Sequence, residues 1–212
     1  MGTFITFEGV EGCGKTTQIM MLRDYLLEKN YQVKITREPG GTAIGDQIRK
    51  ILLNDDNKNI SRETELLLIT ACRVQHIKEV IIPALKQDKV VLCDRFFDST
   101  FAYQGYGRNI DLEFIKRLNK IVSCNIEPDL TILLDLDPLE GLKRANKRNS
   151  KKAVSEREER FEKETLEFHK RIRIGFLELA QKSQERIKVI DGNGKIEEIQ
   201  KTIRSYTDEI LR

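Results

Sequence analysis

The part of the chain that decides the fold is the run Gly9-Val10-Glu11-Gly12-Cys13-Gly14-Lys15-Thr16, which matches the pattern G-x-x-x-x-G-K-[ST] at every required position. A short apolar and β-branched run, Phe4 to Phe7, precedes it, and a helical pattern from Thr16 to Lys29 follows it. Glycines in such a loop let successive backbone N–H groups face phosphate oxygens, and the helix N-terminus adds partial positive charge. The run, which we call the phosphate loop, and the adjacent Thr17 therefore predict a binding site for a nucleoside triphosphate.

Four side chains have the chemistry that such a site needs. Lys15 is expected to reach the β- and γ-phosphates, and the Thr16 hydroxyl is expected to bind Mg²⁺. Asp94 closes the continuous apolar run Val90 to Cys93, where its carboxylate can order the ligands of the metal. Arg95 beside it can hold two phosphate oxygens. A surface ion pair is the alternative interpretation of Asp94 and Arg95.

Strand and helix patterns alternate along the whole chain. The predicted helices run from Thr16 to Lys29, Ala43 to Leu53, Arg62 to about Val80 (ending before Pro83), Asp111 to Asn125, from Pro138 onward, and Lys195 to Leu211. The predicted strands are Phe4 to Phe7, Gln32 to Thr36, Val90 to Cys93, Leu130 to Leu134 and Ile187 to Ile190. This alternation predicts an α/β fold with a doubly wound, five-stranded parallel sheet, helices on both faces, and ligands beyond the carboxyl ends of the strands.

Composition excludes several classes of protein. The 212 residues are expected to form a single domain, 1–212, and 39% of them are apolar, which is enough for a core. No apolar run reaches the roughly 20 residues that cross a bilayer, and the net charge of +3 is too balanced for a dedicated nucleic-acid binder. Four scattered cysteines and two histidines argue against a zinc site. We therefore expect a cytoplasmic protein without a membrane or nucleic-acid partner.

Two further segments are candidates for function. The block Arg37 to Thr42 follows the second predicted strand, although it also fits a plain Pro-Gly turn. The stretch from Lys143 to about Arg160 is dense in charge and is either a solvated loop or a segment that closes over a site. No Asn-Lys-x-Asp segment follows Leu134 or Ile190, and this argues against a GTP-dependent switch.

Taken together, these motifs resemble those of bacterial thymidylate kinases. The matching segments follow the family's order from Phe4 into the last strand, and their combination is far more specific than any one of them. They are the phosphate loop with Glu8 before it and Thr17 after it, Thr36-Arg37-Glu38-Pro39-Gly40-Gly41-Thr42, Arg73-Val74-Gln75, Asp94-Arg95-Phe96 with Ser99, Ala102-Tyr103-Gln104-Gly105-Tyr106-Gly107-Arg108, and Pro128-Asp129-Leu130-Thr131.

The resemblance implies a P-loop kinase fold with a short lid and transfer of the ATP γ-phosphoryl group to dTMP, with Mg²⁺, in dTTP synthesis. It implies that Glu11 faces the 3′-hydroxyl of the acceptor and that Tyr103 crowds the 2′ position. Arg37, Arg49 and Arg95 would surround the acceptor phosphate, and Arg73, Ser99 and Gln104 would read the thymine edge. Pro39 and Ile69 complete the expected dTMP site.

Members of this family supply an arginine to the transferring phosphoryl group either from the phosphate loop or from a lid. The phosphate loop here has no arginine, so the resemblance favours a lid at about 145–161. The lid supplies three candidate catalytic arginines, Arg148, Arg157 and Arg160. They act in addition to the candidate catalytic residues Lys15 and Arg95.

Ile69 stands where many relatives have a phenylalanine that stacks on thymine, so we expect weaker thymidylate binding or a looser base preference. The resemblance also implies a homodimer, to which the run Leu66 to Ile69 could contribute if it is not core. The alternatives are a kinase for another nucleoside monophosphate and a nucleotide-dependent binding or switch protein.

Overall fold

The computed structural model describes residues 2–57, 59–150 and 160–211. Its five strands form one all-parallel sheet in the order β2-β3-β1-β4-β5, which confirms the predicted α/β fold. Each strand lies within one residue of the predicted bounds at either end. The strands are β1 (Phe4–Glu8), β2 (Val33–Arg37), β3 (Val90–Asp94), β4 (Leu130–Asp135) and β5 (Ile187–Asp191).

The central strands are buried because helices cover the sheet on both sides. Every residue of β1 is buried, and β3 and β4 are buried except at their last residue, as is usual for parallel strands in a doubly wound sheet. On one face, Phe4, Val91 and Cys93 pack with Ile77, Ile81 and Leu85. On the other face, Ile5, Phe7 and Leu92 belong to a larger cluster that includes Ile19, Leu22 and Phe176.

Nine α-helices lie in the described residues, and two segments have the wider π-helical turn. Several helices begin at a side chain that accepts a backbone N–H of the first turn, among them Thr42, Ser61, Asp111, Asp137 and Thr165. The helices are α1 (Lys15–Glu28), α2 (Ala43–Leu53), α3 (Arg62–His76), α4 (Ile82–Lys86), α5 (Phe97–Thr100), α6 (Leu112–Val122), α7 (Pro138–Asn149), α8 (Leu166–Lys182) and α9 (Ile196–Ile210). The π-helical segments are Ile77–Ile81 and Phe101–Gly107.

The prediction that the third helix ends before Pro83 was wrong. The π-helical segment Ile77–Ile81 joins α3 to α4, and the helical path continues through Pro83 to Lys86. Pro83 lies in the first turn of α4, and the N–H of Ile82 donates to the Ile77 carbonyl five residues earlier. The wider turn makes room for a proline ring, which would otherwise clash with the carbonyl four residues before it.

Two neighbouring segments were not anticipated as helices. They are α8 and the stretch from α5 through Phe101–Gly107, which pack closely against each other. A Cβ at Gly175 would lie 2.6 Å from the Tyr106 ring, and one at Gly107 would lie 2.7 Å from the Phe168 ring. Glycine at both positions therefore allows this close approach.

In α6 the helix ends at Val122, before the predicted Asn125, because Cys124 and Asn125 adopt left-handed backbone conformations.

The carboxyl ends of three adjacent strands, β2, β3 and β1, position Arg37, Asp94 and Glu8 beside one another. The first turn of α7 also reaches this edge. A Cβ at Gly12 would lie 2.1 Å from the Gly141 carbonyl oxygen, so the phosphate loop and α7 touch backbone to backbone.

Residues 145–149 of the predicted lid continue α7, whereas residues 151–159 lie outside the described residues. None of the described helices combines the length and apolar character needed to cross a membrane.

Candidate active site

An open cleft of about 1030 Å³ lies beyond the carboxyl ends of β1, β2 and β3. It extends without interruption from the phosphate loop to α3 and to the π-helical segment Phe101–Gly107. Of the predicted site residues, those lining the cleft are Glu11, Gly12, Gly14, Lys15, Thr16, Thr17, Arg37, Pro39, Arg49, Ile69, Arg73, Asp94, Arg95, Ser99, Tyr103, Gln104 and Arg148. Gly9, Val10 and Cys13 lie buried in the wall of the loop.

The phosphate loop is curled by left-handed glycines. Gly9, Gly12 and Gly14 have φ values of 134°, 71° and 100°, which other residues rarely adopt. The Lys15 ammonium donates to the carbonyl oxygens of Gly9 (3.1 Å) and Val10 (3.0 Å). The loop thus holds a positive charge in its own concavity, where a phosphate would meet it.

The two predicted metal ligands lie next to each other in the cleft. The Thr16 hydroxyl donates to Asp94 Oδ2 at 3.3 Å. A hydroxyl and a carboxylate oxygen are the hard donors that Mg²⁺ prefers when phosphates and water supply its remaining ligands. The residues present therefore fit a Mg²⁺ ion that arrives with a nucleotide.

Arg95 links the phosphate loop to the acceptor side of the cleft. It donates through Nη1 to the Gly9 carbonyl oxygen and to Ser99 Oγ, both at 3.1 Å, and through Nη2 to Glu11 Oε1 at 3.4 Å. Its guanidinium lies 4.8 Å from the centre of the Tyr103 ring. These contacts hold the cation in one orientation before any ligand binds.

Glu11 is an ionised acceptor in this part of the cleft. The Tyr103 hydroxyl donates to its Oε1, and His169 Nδ1 lies 3.2 Å from its Oε2. Burial would raise the pKa of Glu11, but the contact with His169 and the charge of Arg95 outweigh burial and lower that pKa well below its usual range. His169 was not predicted as a site residue, because it comes from α8 and no local pattern brings it to the loop.

Glu8, the last residue of β1, is a buried carboxyl beneath the cleft. Its Oε1 accepts the Phe96 N–H at 2.7 Å, and its Oε2 accepts the Ser99 hydroxyl at 2.6 Å. Burial and the nearby charge of Asp98 raise the pKa of Glu8 to about 7, although Arg95 and both hydrogen bonds oppose the change. The sequence patterns place Glu8 directly before the phosphate loop and predict no role for it.

Arg73 is held rigidly at the far end of the cleft. It is fully buried and donates to Glu38 Oε2 (2.7 Å), Asn119 Oδ1 (3.1 Å), the Phe96 carbonyl oxygen (3.2 Å) and Thr100 Oγ1 (2.9 Å). These four contacts occupy four of the five N–H groups of a guanidinium. One N–H group of this cleft-lining side chain remains for a ligand.

Arg37 and Arg49 form the opposite wall. Arg37 is exposed, with its Nη2 3.7 Å from Asp46 Oδ1, and Arg49 Nη1 donates to the Pro39 carbonyl oxygen at 2.9 Å. With Arg95 they surround the middle of the cleft with positive charge. Such a set of guanidinium groups matches the oxygens of a phosphate.

The candidate lid arginines are in different environments. Arg148 on α7 lines the cleft and donates to Glu162 Oε1 at 2.9 Å. Arg160 is buried, pairs with Glu65 and donates to the Leu52 carbonyl oxygen, and it does not line the cleft. Arg157 lies outside the described residues.

Arg144 was missed by the sequence analysis. It lines the cleft one turn before Arg148, and its Cβ lies next to Gly12. The four-residue spacing of two arginines in the second half of a predicted helix was the signal that could have identified it.

Comparison with known proteins gives one family. The family model for thymidylate kinase matches residues 7–203. The chain is 55% identical over 203 residues to a thymidylate kinase of Pelobacter propionicus, covering 96% of this chain and 92% of that one. It is 56% identical over 197 residues to that of Geobacter sulfurreducens, covering 93% and 92%. The crystal structure of thymidylate kinase from Ehrlichia chaffeensis matches with a TM-score of 0.78 and 36% identity over 98% of both chains.

We expect the variant Glu8→Gln to gain stability relative to the wild type as pH rises from 5 to 8. The pKa of Glu8 is about 7 in the folded protein against a usual value of 4.5, so between these values the folded state binds more protons than the unfolded state. The stability of the wild type therefore falls as pH rises, by up to about 3 kcal/mol for this group. Urea unfolding of both proteins at pH 5, 6, 7 and 8 measures the difference. The exposed Glu197→Gln is the control, and a Glu8→Gln difference that stays constant with pH contradicts the expectation.

Proposed function

The chain belongs to the thymidylate kinase family and phosphorylates dTMP, and we propose that the cleft described above carries out this transfer from ATP. The observation that carries the proposal is the continuity of the cleft. Lys15 and Thr16 line one end of it, and Ile69 and Gln104 line the other. Two nucleotides joined end to end by their phosphates need such a space.

The phosphate loop binds ATP in this proposal. Its backbone N–H groups and Lys15 hold the β- and γ-phosphates. Thr16 and Asp94 would hold Mg²⁺, which neutralises phosphate charge when it is bound. Because Lys15 already lies against the Gly9 and Val10 carbonyls, it needs only to exchange those partners for phosphate oxygens.

The acceptor dTMP lies between β2, β3 and α3. Arg37, Arg49 and Arg95 bind its phosphate, and ionised Glu11 accepts a hydrogen bond from the 3′-hydroxyl. Tyr103 occupies the space beside the 2′ carbon, which favours a deoxyribose. The base lies between Pro39 and Ile69, with its edge toward Arg73, Ser99 and Gln104.

Catalysis rests on position and charge. An oxygen of the dTMP phosphate attacks the γ-phosphorus in line with the bond to the β–γ bridging oxygen, and that bond breaks to release ADP. Several cations are needed because two anionic phosphates must approach each other. Arg95 serves the acceptor side, and we assign the donor side to Arg144 and Arg148 of α7, whose last residues, 145–149, begin the predicted lid at about 145–161.

The described surface also supports a homodimer. Leu66 of the predicted apolar run is buried, whereas Leu67 on α3 is 57% exposed, and Phe114 and Ile121 on α6 are 44% and 78% exposed. α3 and α6 are neighbours, so these side chains form an apolar surface that a second copy would cover.

A cytoplasmic location completes the proposal, since ATP is abundant there and the four cysteines are free thiols.

The first test is an ADP-release assay with ATP, Mg²⁺ and the acceptors dTMP, dUMP, dCMP and GMP. We expect fast turnover with dTMP, slower turnover with dUMP and little with the others. Lys15→Ala should lower turnover by about 100-fold to 1,000-fold because a phosphate-holding charge is lost. Lys143→Ala removes an exposed lysine outside the cleft and should change nothing. Higher turnover with dCMP or GMP, or ADP release that does not depend on the acceptor, would contradict the proposal.

A second test separates the arginines. Arg144→Met and Arg148→Met should each lower kcat by about 100-fold with a small change in the KM for dTMP, because charge on the moving phosphoryl group acts in the transition state. Arg160→Met should lower the unfolding temperature instead, since it leaves Glu65 without one of its partners. Lys147→Met, an exposed neighbour on α7, is the matched control. Normal kcat in both α7 variants would exclude Arg144 and Arg148 from this role.

A third test concerns the dimer. We expect sedimentation equilibrium to give twice the mass of one chain for the wild type and the mass of one chain for Ile121→Glu, because a buried charge without a partner opposes association. Ile174→Glu places the same charge on the exposed face of α8 and should leave the dimer intact. A monomeric wild type at micromolar concentration would refute this part of the proposal.

A further inference from the structure

We propose that Glu65 determines base specificity by holding the side-chain amide of Gln104 in one orientation. In that orientation Gln104 accepts a hydrogen bond from a base with an N–H group at ring position 3 and discriminates against a base with a lone pair there. The inference rests on the proposed location of the base beside Gln104, and it adds a positioning residue that does not itself line the cleft.

Glu65 lies on α3, and its side chain is 1% exposed. Its Oε1 accepts the Gln104 Nε2–H at 2.8 Å, and Gln104 is itself buried. The same carboxylate accepts from Arg108 Nε and Nη2, both at 3.2 Å, and from Arg160. Four N–H groups from three residues therefore converge on one buried carboxylate.

The carboxylate is ionised, and this decides the orientation of the amide. Burial would raise the pKa of Glu65, but the charge of Arg108 and the hydrogen bonds from Arg108, Gln104 and Arg160 outweigh burial and lower that pKa. An ionised carboxylate only accepts hydrogen bonds. The Gln104 amide must therefore turn its NH₂ group toward Glu65, because its oxygen would be repelled there.

The oxygen and nitrogen of a glutamine amide have nearly the same shape, so packing alone does not select between the two orientations. With the NH₂ group held by Glu65, Gln104 has its carbonyl oxygen and one N–H group left for a ligand in the cleft. Arg73 offers a single remaining N–H group and no acceptor. The wall of the base site is thus fixed as one acceptor flanked by donors.

This arrangement matches one class of base edge. Thymine and uracil present an N–H donor at position 3 and an oxygen acceptor at position 4, whereas cytosine presents an acceptor at position 3 and an amino donor at position 4. The Gln104 oxygen pairs with the first edge and faces the lone pair of the second. A site whose buried hydrogen-bonding groups cannot turn rejects the mismatched edge, because some of those groups would stay unpaired.

The variant Glu65→Gln tests the inference, since its own amide can present either an oxygen or an NH₂ group to Gln104. We expect the ratio of kcat/KM for dTMP over dCMP to fall about tenfold to 100-fold, mainly through the KM values. The ratio for dTMP over dUMP should stay constant, because these bases share the same edge and differ by one methyl group. If all three kcat/KM values fall by one factor, Glu65 is only structural and the proposal is wrong.

Two matched variants isolate the contact. Arg108→Gln removes an ion-pair partner of Glu65 but leaves the Gln104 contact, so it should lower stability and keep the dTMP/dCMP ratio. Glu65→Asp keeps an acceptor-only carboxylate and should keep the ratio closer to that of the wild type than Glu65→Gln does. A dTMP/dCMP ratio that falls as far in Arg108→Gln as in Glu65→Gln overturns the proposal.

Gln104→Leu separates this inference from the proposed location of the base. If Gln104→Leu leaves the dTMP/dCMP ratio unchanged, the base is not read at Gln104 and the proposed location fails. If it changes the ratio and Glu65→Gln does not, the location stands and the role of Glu65 is refuted.

Hydrogen exchange of the Gln104 side-chain amide in the wild type tests the inference without any Glu65 variant. The side-chain NH₂ signals of Gln104, assigned by their loss in Gln104→Leu, should be protected from hydrogen exchange in the absence of dTMP. Exchange at the rate of a free amide would overturn the proposal.

Discussion

The site depends on the parallel pairing of β2, β3 and β1, which places the carboxyl ends of these three strands along one edge of the sheet. Arg37 is opposite Asp94, and Phe7 is opposite Asp94 on the other side. The ladder continues one residue beyond the strands, where the Arg95 N–H donates to the Phe7 carbonyl and the Glu38 N–H donates to the Asp94 carbonyl, both at 2.9 Å. A slip of one residue in either pairing would turn these side chains to the opposite face of the sheet. The register of the sheet therefore fixes how Arg37, Asp94 and the start of the phosphate loop lie relative to one another.

Most arginines that line the cleft are paired with a carboxylate of the protein. Arg95 pairs with Glu11, Arg73 with Glu38, and Arg148 with Glu162. Such pairs hold the cations close to the positions in which phosphates and a base would use them, and they limit repulsion among like charges. Charges that are oriented in advance need little rearrangement when the reaction takes place. The partners of the arginines are thus as much a part of the site as the arginines themselves.

Local patterns predicted the sheet, the phosphate loop and most of the residues that line the cleft, because strands, glycine loops and helix starts are encoded over a few neighbouring residues. The patterns failed where distant segments decide the outcome. Pro83 continues a helix because the preceding turn is wide, and His169 reaches Glu11 only because α8 packs on the segment Phe101–Gly107. No local pattern points to Glu65, and only the fold brings Gln104, Arg108 and Arg160 to it. Arg160 is predicted as a lid residue from its charged surroundings in the sequence, whereas its buried contact with that carboxylate depends on the fold.

The backbone contact between Gly12 and Gly141 has a mechanical consequence. Because neither residue has a side chain, the first turn of α7 rests directly on the phosphate loop. Arg144 and Arg148 stand further along the same rigid rod, with Arg148 about 10 Å beyond Gly141 at the rise of an α-helix. A small rotation of α7 about its contact with the phosphate loop would therefore move the guanidinium groups further than it moves Gly141. The positions of the two arginines on the donor side of the cleft are thus tied to the position of the phosphate loop through one backbone contact and one helix.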